Sequence, residues 1–269
     1  MRQLNWKWGV YLSSLFKTVY DAILSAGEAI MAIYQTDFEV AMKDDHSPLT
    51  LADTRANEII FTALKKAYPH YAILSEEAGD DKSRLDSDYC FIVDPLDGTK
   101  EFIKGTGEFT VNIALSYKGN PVMGMIYAPV LQKLYYALKG EGAWVENVRT
   151  GSVKKIRVSR KTSGLTWVGS RSHSTERETQ LIESHTALIS RVVTAGSSLK
   201  GCLVAEGRAD IYYRFGLTSE WDTAAMQCIV EEAGGIFRQM DGSPMRYNRE
   251  NPLNEKGFYV VNAKKNIWV

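Results

Sequence analysis

What this sequence lacks narrows its roles before any motif is considered. Charge of one sign is not in excess: lysine plus arginine number 32, and aspartate plus glutamate number 32. A balanced chain sets up no long-range field for a nucleic acid polymer or an anionic membrane, so any affinity for phosphate must be local. Cysteine is sparse and odd in number; Cys90, Cys202 and Cys228 each sit in an apolar stretch, and none has metal-type spacing. Such residues read as reduced core cysteines of a cytoplasmic protein. No apolar run is long enough to cross a bilayer, and Met1 to Leu15 carries Arg2, Lys7, Trp6 and Trp8 without the apolar block of a signal peptide. The expectation is a soluble protein held in the cytoplasm, with peripheral attachment at the inner membrane left open. Trp6 and Trp8 are assigned to packing against the first helix. Internal repeats, low-complexity tracts and flexible linkers are missing, as is the Gly-x-x-x-x-Gly-Lys-Ser/Thr loop of ATP-driven enzymes.

What is present is enough apolar material for a large core, 45% of 269 residues. Leu12, Leu15, Phe16, Val19, Ile23, Ala26 and Ile30 recur at helical spacing and predict a long amphipathic helix ending near Tyr34. Phe38, Val40 and Met42 alternate as in a strand. A polar loop over Lys43 to Ser47 follows, and Pro48 is placed to open a second helix that runs to about Ala67. Tyr71 to Leu74 reads as a short strand, and Gly79 to Asp88 as a charged surface loop able to move. Beyond Thr110, short apolar segments separated by Gly-rich and Pro-containing turns predict antiparallel strands at Val111 to Tyr117, Val122 to Tyr127, Leu134 to Leu138 and Ala143 to Val145. After a polar stretch from Asn147 to Lys155, strands and helices alternate to the end. Residues 1–147 therefore read as an α+β half and 148–269 as a smaller α/β half, in one rigid body with a cleft between them.

The run Asp94-Pro95-Leu96-Asp97-Gly98-Thr99 carries the most chemistry. Tyr89 to Val93 reads as a buried strand, so Asp94 stands at its carboxyl end, on a rigid support facing a crevice. Pro95 has no N–H to give a ladder, so regular pairing is expected to stop there. Two carboxylates on a bend, with the Leu96 carbonyl between them, suit a hard cation such as Mg²⁺. Gly98 allows close approach of backbone to ligand, and its amide with that of Thr99 suits a phosphate if a helix starts there. For a lone Asp-Gly-Thr an ordinary turn is the better explanation. Two further acids shift the balance: Glu76 at the end of a strand, and Asp222 at the start of a helix in Trp221-Asp222-Thr223-Ala224-Ala225. Singly, Glu76 is a solvated acid and Asp222 a helix-dipole partner. Together with Asp94 and Asp97 they form a set suited to divalent ions around a phosphate.

Glu76-Glu77, Asp94 to Thr99 and Trp221 to Ala225 resemble, in order and spacing, the three motifs of the inositol monophosphatase superfamily of lithium-sensitive, Mg²⁺-dependent phosphatases. The likeness extends over nearly the whole chain. Gly98-Thr99-Lys100-Glu101-Phe102, Glu108 to Asn112, Gly196-Ser197-Ser198-Leu199-Lys200 and Thr218 to Asp222 look like the bacterial 3′(2′),5′-bisphosphate nucleotidase branch. That branch takes the 3′-phosphate from adenosine 3′,5′-bisphosphate, a by-product of sulfate assimilation, and leaves AMP. The resemblance implies a layered αβαβα architecture and two or three Mg²⁺ ions. Glu76, Asp94 and the Leu96 carbonyl would hold one ion, and Asp94, Asp97 and Asp222 a second. It implies a catalytic pair, Thr99 polarised by Asp53, where Asp53 alone would pass for an exposed helix acid. Glu76, Leu96, Asp97, Gly98, Thr99 and Asp222 would face the substrate.

Inositol phosphatases carry an acid shortly before the Trp-Asp pair to hold sugar hydroxyls, whereas this chain reads Arg214-Phe215-Gly216. Arg214 and Lys200 are candidates for the nonreacting 5′-phosphate, the first as a fork and the second as a point charge. His173 is a candidate for adenosine or else a surface-loop histidine, Ser197 a candidate for ribose or phosphate, and Lys43 supports the metal's waters or solvates its own loop. The expected partner is a small phosphorylated nucleotide, with neither a nucleic acid polymer nor an integral membrane segment involved. The alternatives are a relative acting on inositol monophosphate or fructose 1,6-bisphosphate, and a non-catalytic nucleotide-binding regulator. The intact set of acids with Thr99 argues against the regulator, since binding alone has no use for a water-activating pair.

Overall fold

The computed structural model describes residues 5–36, 39–42, 48–172 and 174–269, with side chains from residue 14 onward apart from that of Pro48. The first helix, α1 (Asn5–Tyr34), buries Leu15, Val19, Ile23, Ala26 and Ile30 along the stripe that the spacing predicts. The side chains of Trp6, Trp8 and Leu12, and all of Phe38, lie outside the described residues. A small hairpin follows, β1 (Val40–Met42) paired antiparallel with β2 (Pro48–Thr50). Pro48 thus does not open the second helix. The helix α2 (Leu51–Ala67) starts after Thr50 because Thr50 and Asp53 form a reciprocal capping box, which sets the first turn more firmly than a proline could.

Seven strands form the larger sheet: β3 (Ala72–Ser75), β4 (Tyr89–Asp97), β5 (Thr110–Tyr117), β6 (Asn120–Ala128), β7 (Lys133–Leu138), β8 (Gly142–Asn147) and β9 (Ser152–Ile156). They lie side by side in chain order, with β3 parallel to β4 and the rest antiparallel. A short helix, α3 (Thr99–Ile103), leaves β4 directly. The strand β9 was hidden in the polar stretch after Asn147 because it is an edge strand whose first four residues are exposed. Pro95 does not end β4 either. The ladder pairs Asp94 with Asn112 and Asp97 with Thr110, and the irregularity between them absorbs the missing N–H as a bulge.

The smaller sheet has the order β11-β10-β12-β14-β13. Its elements are β10 (Leu165–Ser170), α4 (Glu176–Ser184), β11 (Ile189–Ala195), α5 (Leu199–Ala205), β12 (Ile211–Arg214), α6 (Glu220–Glu232), β13 (Ile236–Gln239) and β14 (Phe258–Val261). Strand alternation sorts the side chains into layers. Phe91 and Val93 of β4 pack with α1 and α2, while Cys90 and Ile92 face the other way and join Ala224, Cys228 and Ile229 of α6. Tyr212 of β12 joins that same cluster from below, and its neighbours Ile211 and Tyr213 face Leu181 and Ile182 of α4. The result is an α+β chain in five layers, αβαβα. Helix α6 can lie against the larger sheet because Gly124 has no side chain; a Cβ there would stand 2.5 Å from the Ala225 carbonyl oxygen.

The loop expected to move between Gly79 and Asp88 is pinned. It contains a 3-10 helix, Ser83–Asp86, and buries Arg84. The Arg84 guanidinium donates to both Asp80 carboxylate oxygens, at 3.0 and 2.9 Å, and to Asn248 Oδ1 at 2.9 Å. Asn248 and Arg249 in turn donate to the fully buried Glu220 at the first turn of α6. All three cysteines are free and buried. No helix among the described residues is long and apolar enough to cross a membrane.

Candidate active site

The bulged end of β4, the start of α3, the turn before α5 and the start of α6 meet around a cavity of about 280 Å³. Glu76, Asp94, Leu96, Asp97, Gly98, Thr99, Ser197, Lys200, Arg214 and Asp222 all line it, so residues up to 146 positions apart share one space. Asp94 belongs to the face of β4 that carries Cys90 and Ile92, which is the face turned to α6. It therefore meets Asp222 in the first turn of that helix. Asp94, Asp97 and Asp222 offer carboxylate oxygens that lie within 4.8 Å of one another. Glu76 lines the same cavity beside this triad, with its N–H bonded to the Val93 carbonyl at 3.2 Å.

Each acid of the triad is pinned through one oxygen. Leu96 N–H donates to Asp94 Oδ1 at 3.1 Å, and Ser219 N–H donates to Asp222 Oδ2 at 2.6 Å. Asp97 Oδ2 accepts from Ser198 Oγ at 2.8 Å and Asn112 Nδ2 at 3.2 Å. The other oxygens are left for whatever the cluster holds. Asp94 Oδ2 is buried and has no hydrogen-bond partner.

Three carboxylates gathered away from water raise one another's proton affinity. Burial, then the charges of Glu76, Asp97 and Asp222, push Asp94 well above the usual carboxylate range. Burial and then Asp97 and Glu76 lift Asp222 to about 8. Burial also raises Asp97, opposed by Lys200 and by the hydrogen bonds from Ser198 and Asn112. Such a cluster needs positive charge. An all-oxygen donor set with an orphaned buried oxygen at its centre fits a hard divalent cation.

Thr99 follows Gly98, whose φ of 92° is open to few other residues. A Cβ at Gly98 would come within 3.3 Å of both the Glu108 carbonyl and Ser197 Cβ. Thr99 Oγ1 donates to Asp53 Oδ1 at 3.1 Å, and the Leu96 carbonyl lies 3.3 Å away. Far from being an exposed helix acid, Asp53 is buried, and its Oδ2 accepts from Thr50 N–H at 2.8 Å and Thr50 Oγ1 at 2.6 Å. Lys200 and Arg214, which also line the cavity, are nearly buried. Lys200 Nζ donates to the carbonyl of Ser197, whose backbone is left-handed (φ 47°), at 2.6 Å. Burial lowers the Lys200 ammonium's pKa, with Arg214 adding to the effect and Asp97 opposing it. Lys43 and His173 lie outside the described residues.

A profile of the inositol monophosphatase family matches residues 11–267. The chain belongs to the inositol monophosphatase family. It is 44% identical over 244 residues to the 3′(2′),5′-bisphosphate nucleotidase CysQ of Salmonella typhimurium, an alignment spanning 88% of this chain and 95% of that one. With the enzyme of the same name from Escherichia coli K12 it shares 42% identity over 243 residues, at 88% and 95% coverage. Among solved structures it resembles CysQ from Bacteroides thetaiotaomicron, described as a bacterial member of the inositol monophosphatase family, with TM-score 0.83 and 41% identity over 94% of this chain and 98% of that one. The inositol monophosphatase of Thermotoga maritima is also similar, with TM-score 0.77 and 26% identity over 93% and 92% of the two chains.

Within this inositol monophosphatase fold the cavity also recruits residues to which the sequence assigned no role. Ser198, Asn112 and Thr110 form a buried chain of hydroxyl and amide groups that ends on Asp97. Their positions fall inside recognisable motif strings, but nothing local shows that β5 and the turn before α5 converge. Glu101, Ser170, Tyr212, Thr218 and Phe258 line the cavity too. Glu101 is buried and accepts the Ser172 hydroxyl at 2.6 Å, joining the segment after β10 to α3.

Proposed function

We propose that this chain is a Mg²⁺-dependent 3′(2′),5′-bisphosphate nucleotidase that hydrolyses the 3′-phosphate of adenosine 3′,5′-bisphosphate to give AMP and phosphate. The observation that carries this reading is that one cavity is lined both by an acidic cluster and by two nearly buried cations, Lys200 and Arg214. A substrate with two phosphates suits both sets of residues, one phosphate for the acids and their cations and the other for Lys200 and Arg214. The names of the most similar curated relatives point the same way.

Two or three Mg²⁺ ions are assigned to the acids: Glu76, Asp94 and the Leu96 carbonyl would hold one, and Asp94, Asp97 and Asp222 another. When bound, the ions neutralise phosphate oxygens and lower the pKa of water. The chain's own residues do the rest. Because the Thr99 hydroxyl proton points to Asp53, a lone pair on Oγ1 is free to accept a proton from the attacking water. That water's oxygen joins phosphorus as the bond to the 3′-oxygen breaks. One proton leaves by way of Thr99 toward Asp53, the other stays on the new phosphate, and the released 3′-oxygen takes a proton from solvent water, to which Asp53 later returns its own. Lys200 and Arg214 hold the 5′-phosphate and so fix which phosphate faces the acids. Ser197 and His173 are assigned to the ribose and the base. In this scheme residues 1–147 supply most of the metal ligands, while 148–269 supply Asp222 and the specificity residues; the cytoplasm is the assigned location.

Phosphate release from adenosine 3′,5′-bisphosphate, inositol 1-phosphate and fructose 1,6-bisphosphate, each with and without Mg²⁺, tests the assignment. The nucleotide is expected to be the preferred substrate by kcat/KM and to need Mg²⁺. A preference for inositol 1-phosphate would overturn it.

A further inference from the structure

Among the triad's anchors, that of Asp97 differs in kind. Asp94 and Asp222 are held by backbone N–H groups of their own segments, which no side-chain change removes. Asp97 is held by two side chains that come from elsewhere, Asn112 of β5 and Ser198 from the turn before α5. Both are almost fully buried, 1% exposed in each case. Thr110 Oγ1 donates to Asn112 Oδ1 at 2.9 Å, which turns the Asn112 amide nitrogen toward Asp97. That nitrogen also donates to Ser198 Oγ, at 3.0 Å. Ser198 Oγ lies 2.8 Å from Asp97 Oδ2 and 3.0 Å from the backbone carbonyl of Asp222.

We infer that Ser198 is a positioning residue for the cation site: its hydroxyl ties Asp97 to the turn before α5 and sets which Asp97 oxygen is presented to the metal. A hydroxyl has one proton. Its two acceptors are the Asp97 carboxylate and the Asp222 carbonyl, and the charged one makes the stronger bond. The Asn112 N–H fills one lone pair of Oγ and fixes the direction in which the proton points. With Oδ2 of Asp97 doubly occupied, Oδ1 is the oxygen left for the cation. Because Ser198 precedes α5 and Asp97 ends β4, the bond joins the two sheets' parts of the site where the acids must keep a fixed separation. Partners of this sort orient metal ligands and characteristically matter 10- to 100-fold in metal affinity. The inference rests on the proposed metal-dependent reading of the cavity.

The test is Mn²⁺ binding measured by titration calorimetry, without substrate, on the full chain and its Ser198→Ala, Ser198→Thr and Asn112→Ala variants. Metal-free thermal unfolding is followed in parallel. Ser198→Ala is expected to weaken Mn²⁺ binding by about 10- to 100-fold, and Ser198→Thr, which keeps the hydroxyl, to restore most of it. Asn112→Ala is expected to weaken binding in the same direction, and it carries the test if Ser198→Ala does not fold. If the alanine variants lower the metal-free unfolding temperature yet bind Mn²⁺ like the wild type, the role is structural and the inference is wrong. Wild-type protein that takes up no Mn²⁺ would overturn the metal-dependent reading and this inference together, and so separates the two failures.

Discussion

Thr99 Oγ1 donates to Asp53 Oδ1 at 3.1 Å, so the residue after the β4 bulge is bonded to the first turn of α2. Asp53 has two tasks in one side chain: Oδ2 closes the helix cap with Thr50, and Oδ1 orients the threonine hydroxyl. Separate substitutions should divide these tasks. Thr99→Ala leaves the cap intact and is expected to lower kcat by about 10²- to 10⁴-fold, the range for lost acid–base assistance, with KM little changed. Thr99→Ser keeps the hydroxyl and should retain most of the activity. Asp53→Ala is expected to lower kcat similarly and also to cost about 1 kcal/mol of stability through the lost cap, measurable by urea unfolding.

The crowding of Asp94, Asp97 and Asp222 within 4.8 Å is a cost to the metal-free fold that a bound cation relieves. Asp94→Asn is therefore expected to abolish phosphate release while raising the unfolding temperature of metal-free protein. Wild type should gain stability with Mg²⁺, by about 2.7 kcal/mol at a concentration 100 times the dissociation constant, and lose the gain on chelation. In Asp94→Asn the Mg²⁺-dependent gain should vanish. A differential scanning fluorimetry series over Mg²⁺ concentration reads both effects.

Lys200 and Arg214 line the same cavity as those acids and are nearly buried. Replacing either by alanine is expected to raise KM for adenosine 3′,5′-bisphosphate by about 10- to 100-fold, as befits the loss of a charge-assisted hydrogen bond worth about 1.5–3 kcal/mol. The turnover of a 3′-monophosphate, which lacks the second phosphate, should hardly change. Steady-state kinetics on the two substrates side by side check this, and an unchanged ratio of kcat/KM values would remove both residues from the 5′-phosphate assignment.

The parts of this molecule that were legible in the sequence are those governed by local rules. The α1 stripe, the turns after Tyr117 and Leu138, and the Asp94 to Thr99 bend follow from periodicity, turn chemistry and ligand type. Asp53 was legible only through family resemblance, since a helix acid looks the same whether Thr99 is beside it or 46 residues away in sequence alone. The Thr50-x-x-Asp53 spacing would have placed the start of α2 after Pro48, had the cap been weighed above the proline. Ser198 and Asn112 could not be read at all, because their role depends on two segments 86 residues apart coming together. The pinned loop was missed for a related reason: the residues that hold it, Asn248 and Glu250, belong to the far end of the chain.

That loop carries a prediction of its own, through Asp80 and Arg84. The Arg84 guanidinium, by its hydrogen bonds first and its charge last, holds the Asp80 carboxyl well below the usual carboxylate range. The ionised form is thus favoured by folding. Its contribution is complete above the unfolded pKa near 3.9 and is lost as the pH falls from there toward the lower folded value. Below that value the pair contributes nothing. Asp80→Ala leaves the Arg84 guanidinium, only 3% exposed as a side chain, short of its bidentate partner and is expected to cost about 1–3 kcal/mol at pH 7. Because the variant has already lost the ionised pair, its stability should fall less steeply than that of the wild type between pH 4 and pH 2. Urea unfolding across that window gives the difference directly, and two parallel curves would mean that Asp80 is no better anchored in the fold than in the unfolded chain.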